Sequence, residues 1–147
     1  MRVYFDICAL QRPLDDHAQL RVRLEAEAMI SLIQLCEEGT LDLVVSAAHE
    51  IENAQNPYPD RQAHVADVLA LSAHRARTTP DVAKRTANYV ASGLKRLDAF
   101  HLAAAVEADA TFFCTTDDRL LRRGQSLDTN ATSVVSPLDL VLQLNLR

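Results

Sequence analysis

The chain is poor in the residues that build flexible linkers, because its 147 residues include only three glycines and five prolines. Low-complexity segments therefore have almost nothing to be made from, and no internal repeat is visible. Apolar residues make up 48% of the chain and charged residues 24%, which is the composition of a globular protein. A chain of this length fits one folded unit with a sizeable core, so we expect a single domain over residues 1–147.

Long apolar runs are missing as well. No stretch approaches the roughly 18 apolar residues of a membrane-spanning helix. Asp6 interrupts the amino-terminal run where a signal peptide needs unbroken apolar sequence, so we expect a cytoplasmic protein with no membrane association. The three cysteines, Cys8, Cys36 and Cys114, include no CxxC pair. They indicate neither a disulfide framework nor a zinc site, and we expect them to be buried reduced thiols.

Positive charge is scarce overall, since the net charge is −5, and this argues against binding to nucleic acid by bulk attraction. The charges are unevenly distributed. Residues 1–74 contain 12 Asp or Glu and 5 Lys or Arg, whereas residues 75–123 contain 6 and 9. The second segment therefore has a basic excess, which is either functional or simply a solvated helical surface.

Strands and helices alternate along the predicted secondary structure. Runs of β-branched and aromatic residues predict four strands, at residues 2–6, 41–46, 111–115 and 132–136. Apolar residues at helical spacing predict helices at about 17–38, a short one around residue 50, and others at 61–77, 79–92, 97–109, 117–123 and from 137. This order predicts a three-layer α/β domain with a mainly parallel sheet of four or slightly more strands flanked by helices.

The ends of these helices carry recognisable signals. Asp15 or Asp16 is expected to cap the helix at 17–38 by accepting hydrogen bonds from its free N–H groups. Gly39, Gly93 and Gly124 each follow a predicted helix, and glycine readily adopts the left-handed conformation that ends one.

Acidic residues lie at or just beyond the ends of three predicted strands. Asp6 closes the first strand, Glu50 lies four residues past the second, and Asp117 lies two residues past the third. Binding sites of parallel sheets lie beyond the carboxyl ends of the strands, so these residues should meet at one edge. Asp98, near the start of the helix at 97–109, can reach the same edge. Taken singly, Asp98 and Asp117 could be N-caps and Glu50 a solvated helix residue.

Such a cluster of carboxylates requires either protons or a cation. Two unit charges about 5 Å apart repel each other by roughly 3 kcal/mol at an effective dielectric constant near 20. A site of carboxylate oxygens without cysteine or paired histidine suits Mg²⁺ or Mn²⁺. An ion of this kind binds a phosphate oxygen and lowers the pKa of an attacking water, which is the chemistry of phosphodiester hydrolysis.

Three motifs carry a specific resemblance: VYFDICAL at 3–10, LDAFHLAAA at 97–105 and FFCTTDDRLL at 112–121. They resemble the three acidic motifs of the PIN-domain ribonuclease superfamily, which includes the VapC-type toxins of toxin–antitoxin pairs. The resemblance covers nearly the whole chain, in order and at suitable spacing. It implies an endoribonuclease that uses Mg²⁺ or Mn²⁺ to hydrolyse RNA, with a small antitoxin protein as the partner if the chain is a toxin.

The resemblance also assigns individual residues. The acidic positions of the family, which hold the metal and support catalysis, match Asp6, Glu50, Asp98 and Asp117. The hydroxyl of the family's T-x-D element matches Thr115.

Two of these assignments have a neighbouring alternative. Glu50 is followed by the aliphatic Ile51, as the family's second acid usually is, but Glu52 is a credible substitute. Asp117 is preferred to Asp118 because it completes T-x-D.

Basic and aromatic residues bear on how RNA would be held. Lys95, Arg96 and Arg119 flank the acidic motifs, where cations can hold the phosphates beside the cut. The chain has no tryptophan and only seven aromatic residues, which leaves little for a base-stacking platform. Recognition should therefore rely on RNA shape and backbone contacts. Of the histidines near the motifs, His101 is expected to pack in the core and His49 to be exposed.

Two other functions fit parts of the pattern. A haloacid-dehalogenase-like phosphatase would use Asp6, Lys95 and the pair Asp117 and Asp118, but it needs a second Asp where this chain has Cys8. The other alternative is a catalytically inactive binding module, which would keep the PIN-like architecture without the nuclease activity.

The helix at 17–38 is apolar over more than one face. Beyond the stripe from Leu20 to Cys36, its apolar surface is widened by Ala26, Ala28, Ile30 and Leu35. A helix of this kind usually packs on two sides, so we expect a homodimer, as the resemblance to VapC-type toxins also implies. The alternative is that the helix at 61–77 covers the second face within one chain.

Overall fold

A five-stranded parallel sheet forms the centre of the protein, whose computed structural model describes residues 1–145. The strands are β1 (Arg2–Phe5), β2 (Asp42–Val45), β3 (His74–Arg75), β4 (Phe112–Cys114) and β5 (Ser133–Val135). Their order across the sheet is β3-β2-β1-β4-β5, and every neighbouring pair is parallel. The predicted α/β class with a mainly parallel sheet is confirmed.

Helices follow the strands and cover both faces of the sheet. They are α1 (Ile7–Gln11), α2 (Leu20–Glu37), α3 (Ala47–Ala54), α4 (Pro59–Leu69), α5 (Pro80–Ala91), α6 (Arg96–Glu107), α7 (Asp118–Ser126) and α8 (Pro137–Asn145). A single 3-10 turn, Arg12–Leu14, joins α1 to α2. Within the described range, no helix combines the length and the apolar character that crossing a membrane would need.

The core consists of two apolar layers, because successive strand residues point to opposite faces of the sheet. In β1, Val3 and Phe5 pack into the layer beneath α1, α2, α4 and α8. Tyr4, between them, packs into the layer beneath α5, α6 and α7. The predicted three-layer arrangement is therefore present. The alanine-rich α6 lies close to the sheet through Ala99, Ala103, Ala104 and Ala105, all of which are buried.

The central position of β1 determines where the candidate site lies. β1 pairs with β2 on one side and with β4 on the other. Its carboxyl end therefore lies in the middle of the edge that the carboxyl ends of the strands form. The Asp6 N–H donates to the Cys114 carbonyl at 3.1 Å, which continues the ladder one residue beyond the strand. Asp6 and Thr115, the next residue after β4, are therefore neighbours.

The predicted helix at 61–77 was wrong in its second half. α4 ends at Leu69, and His74–Arg75 instead form β3, which pairs with Val44 and Val45 at the edge of the sheet. The Ala76 N–H also donates to the Val45 carbonyl at 2.7 Å. The backbone hydrogen-bonding groups of β2 thus hold His74 and Arg75 as a strand, although their own sequence has no strand pattern.

Two expected helix ends also differ from the structure. Neither Asp15 nor Asp16 caps α2, which begins at Leu20 after Gln19; Asp15 instead forms ion pairs with Arg12 and Arg61. Gly39 and Gly93 have the expected positive φ angles, 81° and 107°. Gly124 does not end its helix, since α7 continues to Ser126.

The need for glycine at position 124 is steric. A Cβ atom there would lie 3.0 Å from Cγ1 of Val134 on β5, so glycine permits the close approach of α7 to the sheet.

Among the cysteines, Cys36 and Cys114 are buried as expected, whereas Cys8 is exposed.

Candidate active site

Asp6 lies at the centre of the site and is held by two hydrogen bonds. It caps α1, where its Oδ1 accepts from the Ala9 N–H at 2.9 Å, and its Oδ2 accepts from the Thr115 hydroxyl at 2.6 Å. Only 4% of Asp6 is exposed. Burial raises the pKa of this carboxyl to about 7, because the two hydrogen bonds that favour the charged form do not offset the loss of water.

Asp98 and Asp117 approach this edge from the starts of two helices. Asp98 is in the first turn of α6 and is half-buried. Asp117 caps α7, where its Oδ1 accepts from the N–H groups of Arg119 and Leu120. Burial raises the pKa of Asp98, and the charge of Asp117 raises it further. The two carboxylates are therefore close enough to repel each other.

Thr115 connects Asp117 to Asp6. Its hydroxyl donates to Asp6 and accepts from the Asp117 N–H at 3.0 Å, and the side chain is fully buried. One hydroxyl thus orients a carboxylate on β1 and the backbone that begins α7.

The structure does not bring Glu50 to this cluster. Its side chain is 55% exposed and forms a double hydrogen bond with Arg75 of the edge strand β3, which lowers the pKa of Glu50. Glu52 lies on the other face of the same helix, and its Oε1 shares a 2.9 Å hydrogen bond with His101 Nε2. The charge of Glu52 raises the pKa of both Asp6 and Asp98. The geometry therefore favours Glu52 as the fourth acid, in place of Glu50.

A buried polar layer supports Glu52 from below. His101 is 1% exposed, as expected of a core histidine, and its Nδ1 shares a 2.6 Å hydrogen bond with the Tyr4 hydroxyl. That hydroxyl also bonds to the Ser46 Oγ at 2.7 Å. Tyr4 is the one polar aromatic residue in strand β1, and it is the feature of the sequence that could have indicated this network.

His49, expected to be exposed, is fully buried. The Ser46 N–H donates to its Nδ1 at 3.1 Å, so the ring proton is on Nε2, which donates to the Phe5 carbonyl at 2.7 Å. The ring stacks on Tyr4 with a centroid distance of 4.4 Å. Burial lowers the pKa of His49 to about 3, which keeps it neutral. His49 therefore fixes the start of α3 beside β1.

Positive side chains border the acidic cluster. A shallow depression is lined by Gly93, Leu94, Lys95, Asp98, Asp117, Arg119, Leu120 and Arg123. Lys95 and Arg119 are exposed there, and Lys95 acts to lower the pKa of Asp98. Arg96, also exposed, adjoins them.

Asp118 points away from this depression. Its two carboxylate oxygens each accept from Arg21 of α2 at 2.7 Å, and this pairing lowers the pKa of Asp118. The geometry therefore favours Asp117 over Asp118, in agreement with the T-x-D pattern.

The donor set suits a hard divalent cation by its chemistry. Asp6, Glu52, Asp98 and Asp117 supply only carboxylate oxygens, the ligands that Mg²⁺ and Mn²⁺ prefer. Burial first, and neighbouring carboxylates second, raise the pKa values of Asp6 and Asp98, and a bound cation would offset this cost of the charged forms. Within residues 1–145, no three acidic, histidine or cysteine side chains already surround one point, so ion binding would require these side chains to turn.

Comparison with solved structures identifies the fold. VapBC2 from Rickettsia felis, solved bound to a DNA fragment from its promoter, aligns with a TM-score of 0.57 and 9% identity, covering 91% of this chain and 98% of that one. PAE2754 from Pyrobaculum aerophilum aligns with a TM-score of 0.51 and 15% identity, covering 100% and 91%. VapC is a PIN-domain toxin. This chain has a PIN-like fold. No family model and no curated protein matches its sequence.

The burial of Asp6 in this PIN-like domain predicts a dependence of stability on pH. The pKa of Asp6 is about 7 when folded and near 3.8 when unfolded, so its contribution is present below about pH 4 and is lost as pH rises to 7. In EDTA, raising the pH from about 5 to about 7.5 should lower the melting temperature of the parent by roughly 5 °C more than that of Asp6→Asn. Asp67→Asn, exposed on α4, should follow the parent; equal slopes for parent and Asp6→Asn would contradict the assignment.

Glu50 and Glu52 form one pair of neighbouring acids, and Asp117 and Asp118 form another. Within each pair, matched substitutions should have opposite consequences. Under the nuclease function proposed below, Glu52→Gln and Asp117→Asn should each lower activity by at least about 10-fold, since even the loss of an outer partner of a metal site costs about 10–100-fold. Glu50→Gln and Asp118→Asn, whose side chains pair with Arg75 and Arg21, should stay within about threefold of the parent. Initial rates at saturating metal measure these effects. The opposite order within either pair would show that the wrong member of that pair has been placed at the acidic cluster.

Proposed function

We propose that this chain is an endoribonuclease that hydrolyses phosphodiester bonds of RNA with the help of carboxylate-bound Mg²⁺ or Mn²⁺. The observation that carries this proposal is the gathering of Asp6, Glu52, Asp98 and Asp117 at the carboxyl edge of a parallel sheet in a PIN-like fold. Carboxylates from four separate elements would not be collected where they repel each other for the sake of stability alone.

The roles of the acidic residues follow from their positions. Asp6, Glu52, Asp98 and Asp117 would hold the ion, which when bound supplies Lewis-acid stabilisation and a more acidic water. Thr115 keeps the Asp6 carboxylate turned towards the edge through its 2.6 Å hydrogen bond. His101 does the same for Glu52 through its Nε2.

The basic side chains beside the acids would hold the substrate. Lys95, Arg96 and Arg119 are exposed, and residues 1–145 include no ion-pair partner within 4.0 Å of any of them. Unpaired cations of this kind bind phosphates and position a chain without reading its sequence. They offset, at the site itself, the unfavourable net charge of −5.

The likeness to the VapBC2 structure supports a biological role as the toxin of a toxin–antitoxin pair in the cytoplasm. The partner would be a small antitoxin protein. An inactive PIN-like binding module is the alternative, and the free cations beside the acidic edge favour the nuclease over it.

Two aspartates, one in the first turn of α6 and one just past its other end, test the nuclease. Asp98→Asn should lower cleavage of a single-stranded RNA by at least about 100-fold, the upper end of the effect of losing an outer partner of a metal site. Asp109→Asn lies at the exposed other end of the helix, where φ is 56° and asparagine is well tolerated, so it should cleave like the parent.

The products are followed by denaturing gel electrophoresis, with p-nitrophenyl phosphate as a second substrate. Cleavage of the ester but not of RNA would indicate a phosphatase. No turnover of either substrate by the parent would favour the binding module.

We also propose that the chain forms a homodimer through α2. Ala26 and Ala28 are buried within the chain, and α2 packs against α8 and the 3-10 turn. Leu20, Leu24 and Ile30 nevertheless remain 40–59% exposed. The face left over by the intramolecular packing is therefore still apolar.

Light scattering at micromolar concentration measures this directly. A mass near twice 16.3 kDa is expected for the parent, and Ile30→Glu should shift it towards the single-chain value. A parent mass near 16.3 kDa would exclude the dimer at that concentration.

A further inference from the structure

A second groove adjoins the candidate active site. It is lined by Ile7, Gln11, Glu52, Gln55, Asn56, Pro57, Tyr58 and Arg61, and its volume is about 660 Å³. This lies within the range of pockets that hold a small organic ligand. Glu52 belongs to both the groove and the acidic cluster, and Ile7 directly follows Asp6, so the two sites are continuous.

The groove contains the one aromatic ring of this chain that is largely in solvent. Of the seven aromatic residues, five are buried and Phe100 is half-buried, whereas Tyr58 is 63% exposed. No hydrogen bond involves the Tyr58 hydroxyl among the described residues, and its side chain does not cap α4. Neither packing nor capping therefore explains a tyrosine at this position.

The guanidinium of Arg61 lies over the Tyr58 ring. Its guanidinium carbon lies 6.0 Å from the centroid of the Tyr58 ring. The same guanidinium donates to Asp15 Oδ1 at 2.7 Å and to the Leu14 carbonyl at 3.2 Å. Arg61 is thus neutralised and anchored, and it supports the aromatic surface rather than attracting phosphate.

Amide side chains line the floor of the groove. Asn56 Nδ2 donates to Gln11 Oε1 at 3.3 Å, and Asn56 Oδ1 accepts from the Tyr58 N–H at 3.2 Å. These bonds leave the Gln11 amide N–H groups without a partner among residues 1–145. Amides beside an exposed aromatic ring match the hydrogen-bonding edges and the flat face of a nucleobase.

We propose that this groove binds one unpaired nucleobase of the RNA, stacked on Tyr58, next to the phosphate that is cut. The inference rests on the proposed nuclease function and makes the substrate single-stranded at that nucleotide, because a paired base cannot offer its face to the ring. The phosphates lie towards Lys95, Arg96 and Arg119, so base and backbone are held by different sides of the site.

Two substitutions at Tyr58 separate stacking from other contributions. Tyr58→Ala should raise the KM for a single-stranded RNA by about 5–100-fold, the range of one lost base–aromatic stack, with kcat little changed. Tyr58→Phe keeps the ring and should resemble the parent. Leu142→Ala, which truncates a 60% exposed side chain on α8, is the control for a surface change elsewhere.

A spectroscopic probe tests the stack without cleavage. RNAs with a single 2-aminopurine at successive positions are bound to Asp98→Asn, and stacking on Tyr58 should quench the fluorescence at one position beside the cut. The quenching should disappear in Asp98→Asn/Tyr58→Ala and persist in Asp98→Asn/Tyr58→Phe. Quenching that survives loss of the ring would overturn the proposal.

The outcomes distinguish this inference from the nuclease itself. If the parent cleaves RNA and Tyr58→Ala has an unchanged KM, the base site is wrong while the nuclease stands. If the parent cleaves nothing but shows Tyr58-dependent quenching, the base site stands without the nuclease. If Tyr58→Ala loses binding of a co-purified antitoxin but not of RNA, the groove binds protein and the proposal fails.

Discussion

The burial of an acidic group at the carboxyl end of the central strand is the constraint on which the site depends. Asp6 is 4% exposed, and a carboxylate removed from water is costly unless its oxygens are hydrogen-bonded. The domain supplies those bonds from the first turn of α1 and from Thr115 after β4. The cost of burial that these bonds do not offset raises the pKa of Asp6 to about 7, and the charge of Glu52 raises it further.

A second layer of polar side chains determines which acid of α3 faces the cluster. His49, in the first turn of α3, is buried against β1, and this fixes the rotation of the helix. Glu52 then points to His101, while Glu50 points to Arg75 at the sheet edge. Tyr4 links both histidines to the sheet by stacking and hydrogen bonding. A satisfied buried network of this kind is rigid, so it can position a carboxylate accurately.

Much of the fold follows from local sequence patterns. Runs such as VYF and FFC identify β1 and β4, and the residues after them reach the same carboxyl edge because all strands run parallel. Asp6 and Asp117 could therefore be placed at this edge from the sequence, whereas the position of Asp98 depended on the path of the loop before α6. β3 could not, because two residues carry no pattern and their pairing with Val44 and Val45 is a long-range effect.

The choice between Glu50 and Glu52 was equally beyond local patterns. It depends on the rotation of a helix of eight residues, which the burial of His49 decides and the spacing of acids does not. The exposure of Tyr58 was hidden for a related reason, since a count of aromatic residues does not show which of them the core leaves out.

The proposed nuclease function requires the acidic edge of this PIN-like fold to work with a divalent cation in cutting RNA. The most direct measurement follows cleavage of an end-labelled single-stranded RNA in Mg²⁺ or Mn²⁺, after excess EDTA, and after the metal is restored. The proposed function predicts internal cleavage that EDTA abolishes and the returned metal recovers. Cleavage that continues undiminished in excess EDTA would contradict it.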